Sequence, residues 1–420
     1  MRIGLVVEQF DPRRGGLEQW TAQFARELFA RGHEVHVVAG RFSRQMAGMP
    51  IVAHRLKGFR TRVGFAEAAQ CKLQSLALDV VHDTGAGWYC DVFQPHWGSR
   101  AALAEQKLLM LPAWMRPLKR AVSKALPRHR QFHRLMARQY ADDGRVLLAL
   151  SRRVAADFQR FHGVSPGQIR LVYDGVDTDR FSPAHRAVHR QQVRRRLGVD
   201  ERTLLLLIVA HNFRLKGVPV LLRAMGRLAA LGKPVHLVVV GGKRVDRFAR
   251  VAGRLGAGRA VTFTGAVDDV VPFYAAADVY VHPTFYDTFS LVVLEALASG
   301  LPVVTSRYNG AVELFTEGAE GYLLSDPTSV DELLLRLDPL FDPVVRERMG
   351  RSARRLAEKH TFRQNVDQVL SVYEEVLARG SPRGRRSASK GRFPFVCRRT
   401  GTEATQRPSQ GVVRETETSS

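Results

Sequence analysis

Two carboxylates in the stretch YVHPTFYDTFSLVVLEALASGLPVVTS, Asp287 and Glu295, offer the chemistry around which the rest of the chain can be arranged. Asp287 stands in a short polar and aromatic turn. Glu295 follows inside a run of helix formers that holds neither Gly nor Pro. Gly300 and Pro302 end that run, because Gly suits a helix C-terminus and Pro cannot continue one. The spacing predicts strand, turn, helix, strand. A helix opening at such a turn presents unpaired N–H groups and partial positive charge, so the backbone of Phe289, Ser290, Leu291 and Val292 can hold a phosphate without a metal. Asp287 and Thr288 then precede the anion site and face a sugar, while Glu295 accepts hydrogen bonds from a ribose diol. An acidic pair at this spacing is more often a solvated helix face. Glu295 lies between Leu294 and Ala296 in an apolar helix, which weighs against that.

Other residues offer complementary chemistry. Arg214 and Lys216, in the loop from His211 to Gly217, form a cation pair able to neutralise a diphosphate and stabilise charge as it departs. Adjacent Gly15 and Gly16, before Leu17, let the backbone approach a ligand closely, although a tight turn explains them equally well. His96 follows a strand-like run that begins at Asp91, at the end where open sheets place ligands. One histidine of fourteen is by itself more often structural.

These residues need elements to position them. Strands are expected over 2–7, 35–39, 80–83, 145–150 and 169–173, then over 204–209, 235–240, 261–264 and 278–282, with helices between them such as 16–30 and 220–231. A β-α pattern that restarts once predicts an α/β protein with two Rossmann-like domains. We place these at 1–185 and 186–360, followed by a helix at 361–379 and a basic tail at 380–420, whose Ser, Arg, Gly and Thr content predicts disorder.

The 25 residues HPTFYDTFSLVVLEALASGLPVVTS resemble the E-x7-E region of the retaining glycosyltransferases of family 4, with D-x7-E in its place. Within the family they are most similar to the lipopolysaccharide core glucosyltransferases that add glucose to an inner-core heptose. The resemblance spans residues 1–375 and implies the GT-B architecture: two facing Rossmann-like domains, an interdomain cleft and a C-terminal crossover helix. It implies donor-sugar contact for Asp287, the diphosphate turn for Phe289 to Val292, and the ribose for Glu295. Gly15, Gly16 and Leu17 inherit the loop that faces the donor, and Ala266 the loop that contacts the base. Lys216 matches a family cation. The family's arginine positions hold His211 and Leu215 here, so Arg214 is expected to supply the second charge from a displaced place. His96 is implied near the reacting sugar and acceptor, with Asp91 a further acceptor-side candidate.

The implied reaction moves a hexose, with retention, from a nucleotide diphosphate sugar such as UDP-glucose to a hydroxyl of an anionic glycolipid. Front-face displacement fits, with no cofactor and no divalent metal. Asp177-Thr178-Asp179 spells a D-x-D metal motif, but the family carries a near-identical turn, usually with Asn at the place of Asp174, so turn and cap contacts are expected instead. Alternatives are a mannosyl- or galactosyltransferase acting on another lipid carrier, or a non-enzymatic basic protein binding membrane or nucleic acid.

Composition sets the surroundings. The chain has 420 residues and a formal charge of +24, which draws it to polyanions. Residues 100–134 hold nine Lys or Arg against one acid, and 380–420 nine against three, so fourteen of the net charges belong to two segments. Residues 100–138 interleave Leu, Met and Trp114 with these bases, the composition of a helix lying on the inner face of an anionic membrane. Nucleic acid is disfavoured, since no aromatic-basic RNA-binding motif is present. No apolar run reaches membrane-spanning length, the N-terminus has no leader pattern, and the three cysteines lack metal spacing. A cytoplasmic protein peripherally bound to membrane is expected.

Overall fold

The computed structural model describes residues 1–43, 46, 48–125, 127–243, 245–380 and 383, with the side chains of 121–131 outside the description. The fold is α/β, with two parallel-sheet, Rossmann-like domains. By packing, the described residues divide into two compact units, Met1–Asp91 with Gly380 and Arg383, and Val92–Arg379.

The first unit holds β1 (Arg2–Phe10), α1 (Gly16–Ala30), β2 (Glu34–Phe42), β3 (Val52–Arg55), α2 (Arg62–Gln74) and β4 (Val80–Asp83), with strands in the order β3-β2-β1-β4. Leu5, Val6, Val37 and Val38 are buried and α1 turns Trp20, Phe24 and Leu28 inward, as expected of parallel strands covered by helices. Arg383 is part of this core. Its guanidinium bonds the Asp91 carboxylate at 2.5 Å and the carbonyls of Leu78 and Asp79 at 3.0 and 3.1 Å. Within the stretch from residue 380 that was expected to be disordered, this one arginine is buried, its apolar stem packed and its head met by a carboxylate and two carbonyls. The rest of that tail lies outside the described residues.

The second unit begins with β5 (Val92–Phe93), α3 (Arg100–Leu108), α4 (Arg116–Ala125), α5 (Pro127–Gln139), β6 (Val146–Ala149), α6 (Arg152–His162), β7 (Ile169–Leu171) and α7 (His185–Leu197). Strands β5, β6 and β7 pair in parallel. The basic stretch is three helices broken at its prolines. Trp114 is 76% and Leu118 65% exposed, beside Arg116, Lys119 and Arg120.

The six-stranded sheet that follows is built from β8 (Leu204–Val209), α8 (Val218–Ala230), β9 (Val235–Val240), α9 (Val245–Arg254), β10 (Val261–Gly265), α10 (Val271–Ala276), β11 (Val279–His282), α11 (Leu291–Ala298), β12 (Val303–Ser306) and β13 (Gly321–Leu324). Helices α12 (Val330–Leu337), α13 (Pro343–Glu358) and α14 (Phe362–Ala378) complete the unit. Strand order is β10-β9-β8-β11-β12-β13, all parallel. The unbroken run LLLLIV of β8 follows from burial on both faces: Leu204, Leu206 and Ile208 pack with α8, while Leu205 and Leu207 pack with α10 and α11. Connections leave β8 and β11 in opposite directions, so a crevice opens at their carboxyl ends. Thr361 and Gln364 form a capping box that starts α14.

Candidate active site

The loops after β8 and β11 meet at that crevice. Gly217 makes the meeting possible: its φ is +79° and a Cβ there would come within 2.1 Å of Pro283 O. The Leu215 carbonyl accepts from Phe285 N at 2.9 Å and from Thr284 Oγ1 at 3.2 Å. Stitched in this way, the first loop brings Lys216 Nζ within 2.5 Å of Asp287 Oδ2. Asp287 is pinned by its own backbone as well, through Asp287 N to Tyr308 O and Gly310 N to Asp287 O, both 3.0 Å.

His282, which ends β11, completes the cluster. Its Nε2 lies 3.2 Å from Asp287 Oδ2 and its Nδ1 3.3 Å from the Tyr280 hydroxyl. That pattern assigns the tautomer with Nε2–H donating to Asp287 and Nδ1 accepting from Tyr280. Burial holds the imidazole below its ordinary pKa, and it is neutral. Burial by itself would raise Asp287, but the Lys216 ammonium and the His282 hydrogen bond outweigh it and keep the carboxyl well below the usual range. The arrangement is a fixed negative charge with a lysine beside it.

Beyond Asp287 the chain enters α11 through a strained turn. Ser290 has φ +72°, the left-handed region, and is the non-glycine residue found there among the described residues. Ser290 Oγ and the side chains nearby place no cap on α11, so its first N–H groups remain open to an anion. Phe289 is buried and stacks on Tyr173 with ring centroids 5.3 Å apart. Thr288 Oγ1 donates to the His96 carbonyl at 2.8 Å. This bond brings the His96 backbone beside Thr288 and the 289–292 turn. Glu295 is only 8% exposed, and the Tyr274 hydroxyl donates to its Oε2 at 2.8 Å. Burial pushes its carboxyl up to about 7, against the opposing pull of Tyr274 and Arg180.

The other expected residues are placed within their own units. Arg214 and Ala266 are exposed on their loops. Gly15, Gly16 and Leu17 open α1 of the first unit, with Gly15 in extended backbone that any residue adopts. Asp91 is fully buried and accepts from Val81 N at 2.8 Å and from Arg383, so its carboxylate ties strand to tail instead of facing solvent. Asp177 Oδ1 accepts from the backbone of Asp179 and Arg180, the expected turn contact. Asp174 Oδ1 meets no hydrogen-bond partner among the described residues. Sequence reasoning missed Tyr274, Tyr280 and His282; for His282 the signal was present, a histidine on the last residue of a strand just before the carboxylate turn. Among the described residues no three His, Cys, Asp or Glu side chains gather as a metal cluster.

Known proteins match this chain in sequence and in fold. The glycosyl transferases group 1 family matches residues 189–356, and glycosyltransferase family 4 matches residues 14–180. The D-inositol 3-phosphate glycosyltransferase of Corynebacterium jeikeium (strain K411) is 30% identical over 332 residues, 74% of this chain and 76% of that protein. WaaG, a glycosyltransferase involved in lipopolysaccharide biosynthesis, superposes with a TM-score of 0.76 at 22% identity, over 88% of this chain and 99% of that one. Anabaena Alr3699/HepE, solved in complex with UDP and glucose, gives 0.68 at 17% identity, over 89% and 99%.

Proposed function

The chain belongs to the group 1 and family 4 glycosyltransferases of the GT-B fold, and from that premise we propose that it moves a hexose, with retention, from a UDP-sugar to a hydroxyl of an anionic membrane glycolipid. The observation that carries the donor side is the meeting of Lys216, Asp287 and the uncapped start of α11 at the switch point of a parallel sheet. The N–H groups of α11 hold the diphosphate, and Lys216 turns from Asp287 to the phosphate oxygens as charge develops there. Arg214 adds a second cation from the same loop. Asp287, fixed by His282 and kept ionised, receives a hydroxyl of the sugar. Glu295 receives the ribose diol, with Tyr274 holding its carboxyl in place.

In this reading the departing phosphate takes the acceptor proton on the face it leaves, no protein nucleophile is required, and Lys216, Arg214 and the α11 amides stabilise the charge in place of a divalent metal. His96, whose carbonyl accepts from Thr288, is the residue we assign to the acceptor. UDP-glucose is the first donor to try, in keeping with the UDP and glucose bound by Anabaena Alr3699/HepE.

The acceptor reading rests on Trp114, Met115 and Leu118, exposed beside Arg116, Lys119 and Arg120, a surface suited to anionic lipid at the cytoplasmic face. Among the described residues no helix is long and apolar enough to cross a membrane. A lipopolysaccharide core is the glycolipid we favour. A second reading, a phosphorylated inositol as acceptor, is supported by the D-inositol 3-phosphate glycosyltransferase relative. Measuring UDP release from UDP-sugars, with lipopolysaccharide core or inositol 3-phosphate as acceptor, separates these; no release with any pair would remove the proposal.

A further inference from the structure

Asp174 follows β7 in a turn that is clamped on two sides. Tyr173 stacks on Phe289, and Asn365 Nδ2 donates to the Tyr173 carbonyl at 2.6 Å. Val176 N donates to His360 O at 3.0 Å, and Phe362 N to Val176 O at 2.9 Å. Gly175 leaves no slack, since a Cβ there would meet Thr361 O at 2.3 Å. So held, the Asp174 side chain is 3% exposed, and its Oδ1 meets no hydrogen-bond partner among the described residues. A buried acceptor without a partner costs about 1–3 kcal/mol, and a fold that keeps one calls for an explanation.

Among the described residues, Asp287 acts on this turn, and Tyr173, Glu313, Arg152 and His360 lie on the flanking elements. Glu313 is engaged elsewhere, accepting from Arg152 N at 2.8 Å, Arg153 N at 3.0 Å and the Tyr173 hydroxyl at 3.2 Å. The charge that reaches Asp174 is that of Asp287. Burial first, and then Asp287, push the Asp174 carboxyl up to about 7. Near neutral pH much of it carries a proton, and a neutral carboxylic acid can donate a hydrogen bond that a carboxylate cannot.

We propose that Asp174 binds the transferred hexose, donating its carboxylic proton to a hydroxyl oxygen of the sugar that Asp287 holds by accepting. The proposal rests on the nucleotide-sugar reading given above. Two neighbouring carboxyls, one ionised and one protonated, give a sugar hydroxyl complementary partners, and neither duplicates the other. When Asp174 ionises, the site presents two negative charges to a substrate that already brings a diphosphate, so donor use falls as pH rises past neutrality.

The test uses the full chain and the UDP-sugar that the wild type turns over. kcat/KM is measured from pH 5.5 to 9, together with Ki for UDP, in wild type, Asp174→Ala and Asp174→Asn, with thermal melts of each. Wild-type kcat/KM is expected to fall at least tenfold above pH 7. Asp174→Ala should lose about a hundredfold at pH 6.5 while Ki for UDP moves by less than about threefold, because the lost contact is to the sugar. Asp174→Asn keeps a neutral donor in place, so it should recover most of that loss and show no fall above pH 7. An Asn variant that keeps the alkaline fall, or an Ala variant that loses UDP as much as UDP-sugar, overturns the proposal. A wild type that neither binds UDP nor releases it from any UDP-sugar overturns the underlying reading, and this inference with it.

Discussion

Lys216 Nζ and Asp287 Oδ2 lie 2.5 Å apart, each the counter-ion of the other and both largely withdrawn from solvent. The pair joins the loops that leave the two central strands of the second sheet. Removing one member leaves a buried charge alone, whereas removing both leaves none. Lys216→Ala is therefore expected to abolish transfer and lower stability by about 2 kcal/mol, while Lys216→Met with Asp287→Leu recovers stability but not transfer. Urea unfolding and UDP-release assays on both variants check this; full transfer by Lys216→Ala would remove lysine from the mechanism.

Glu295 gives the protein a pH dependence of defined sign. Its folded carboxyl is raised from 4.5 to about 7, so its contribution to stability is complete below the unfolded value and is lost as pH rises through 7. Asp174, raised from 3.8 to about 7, acts in the same direction. Asp287, held low, acts oppositely and stabilises above 3.8 until acidification neutralises it. Glu295→Gln should match the wild type at pH 4.5 and exceed it at pH 8 by on the order of 2 kcal/mol. Equal urea midpoints at pH 8 would contradict the burial argument. The same variant keeps one acceptor oxygen but loses the carboxylate that accepts from both ribose hydroxyls, and should lose transfer.

Ser290 holds a left-handed backbone that costs a non-glycine residue about 1 kcal/mol. Ser290→Gly should raise the unfolding free energy by about that amount, and Ser290→Val should lower it by more, since a branched Cβ crowds the same conformation. Calorimetry on the two variants decides. A Gly variant less stable than the wild type would mean that the serine side chain offsets its own strain.

Arg383 leaves Asp91 uncompensated when it is lost. Arg383→Ala is expected to destabilise by about 3 kcal/mol, because both partners are buried. Truncation after residue 384 should cost little and truncation after residue 379 should reproduce the point variant. Chemical denaturation of the three proteins gives the comparison; identical midpoints would detach the tail from the core.

Trp114 and Leu118 should carry lipid binding. Trp114→Ala with Leu118→Ala is expected to weaken co-sedimentation with vesicles rich in anionic phospholipid roughly tenfold. Lys119→Glu should act similarly at low salt and less so at high salt, by about 1 kcal/mol per charge. Binding unchanged in both would move the acceptor reading towards a soluble phosphorylated substrate.

How much of this could be read without coordinates differs from residue to residue. The strand at 204–209 was legible to its ends because six consecutive apolar residues, too short a run for a helix, read as a strand covered on both faces. The order of strand, turn and helix around Asp287 was equally legible, since Gly300 and Pro302 terminate a helix by local sterics. Those are properties of neighbours along the chain. The Lys216–Asp287 pair, the neutral His282 and the raised carboxyls of Glu295 and Asp174 were not legible, because each depends on burial and on charges supplied from far along the chain. Arg383 makes the same point: in a Ser-, Arg- and Gly-rich stretch nothing local distinguishes it, and only packing delivers it to Asp91. Local chemistry along the sequence thus determined which elements form and where the turns between them fall, while solvent exclusion and long-range proximity, present only once the chain is folded, decided which residues meet at the crevice and which of them carry charge.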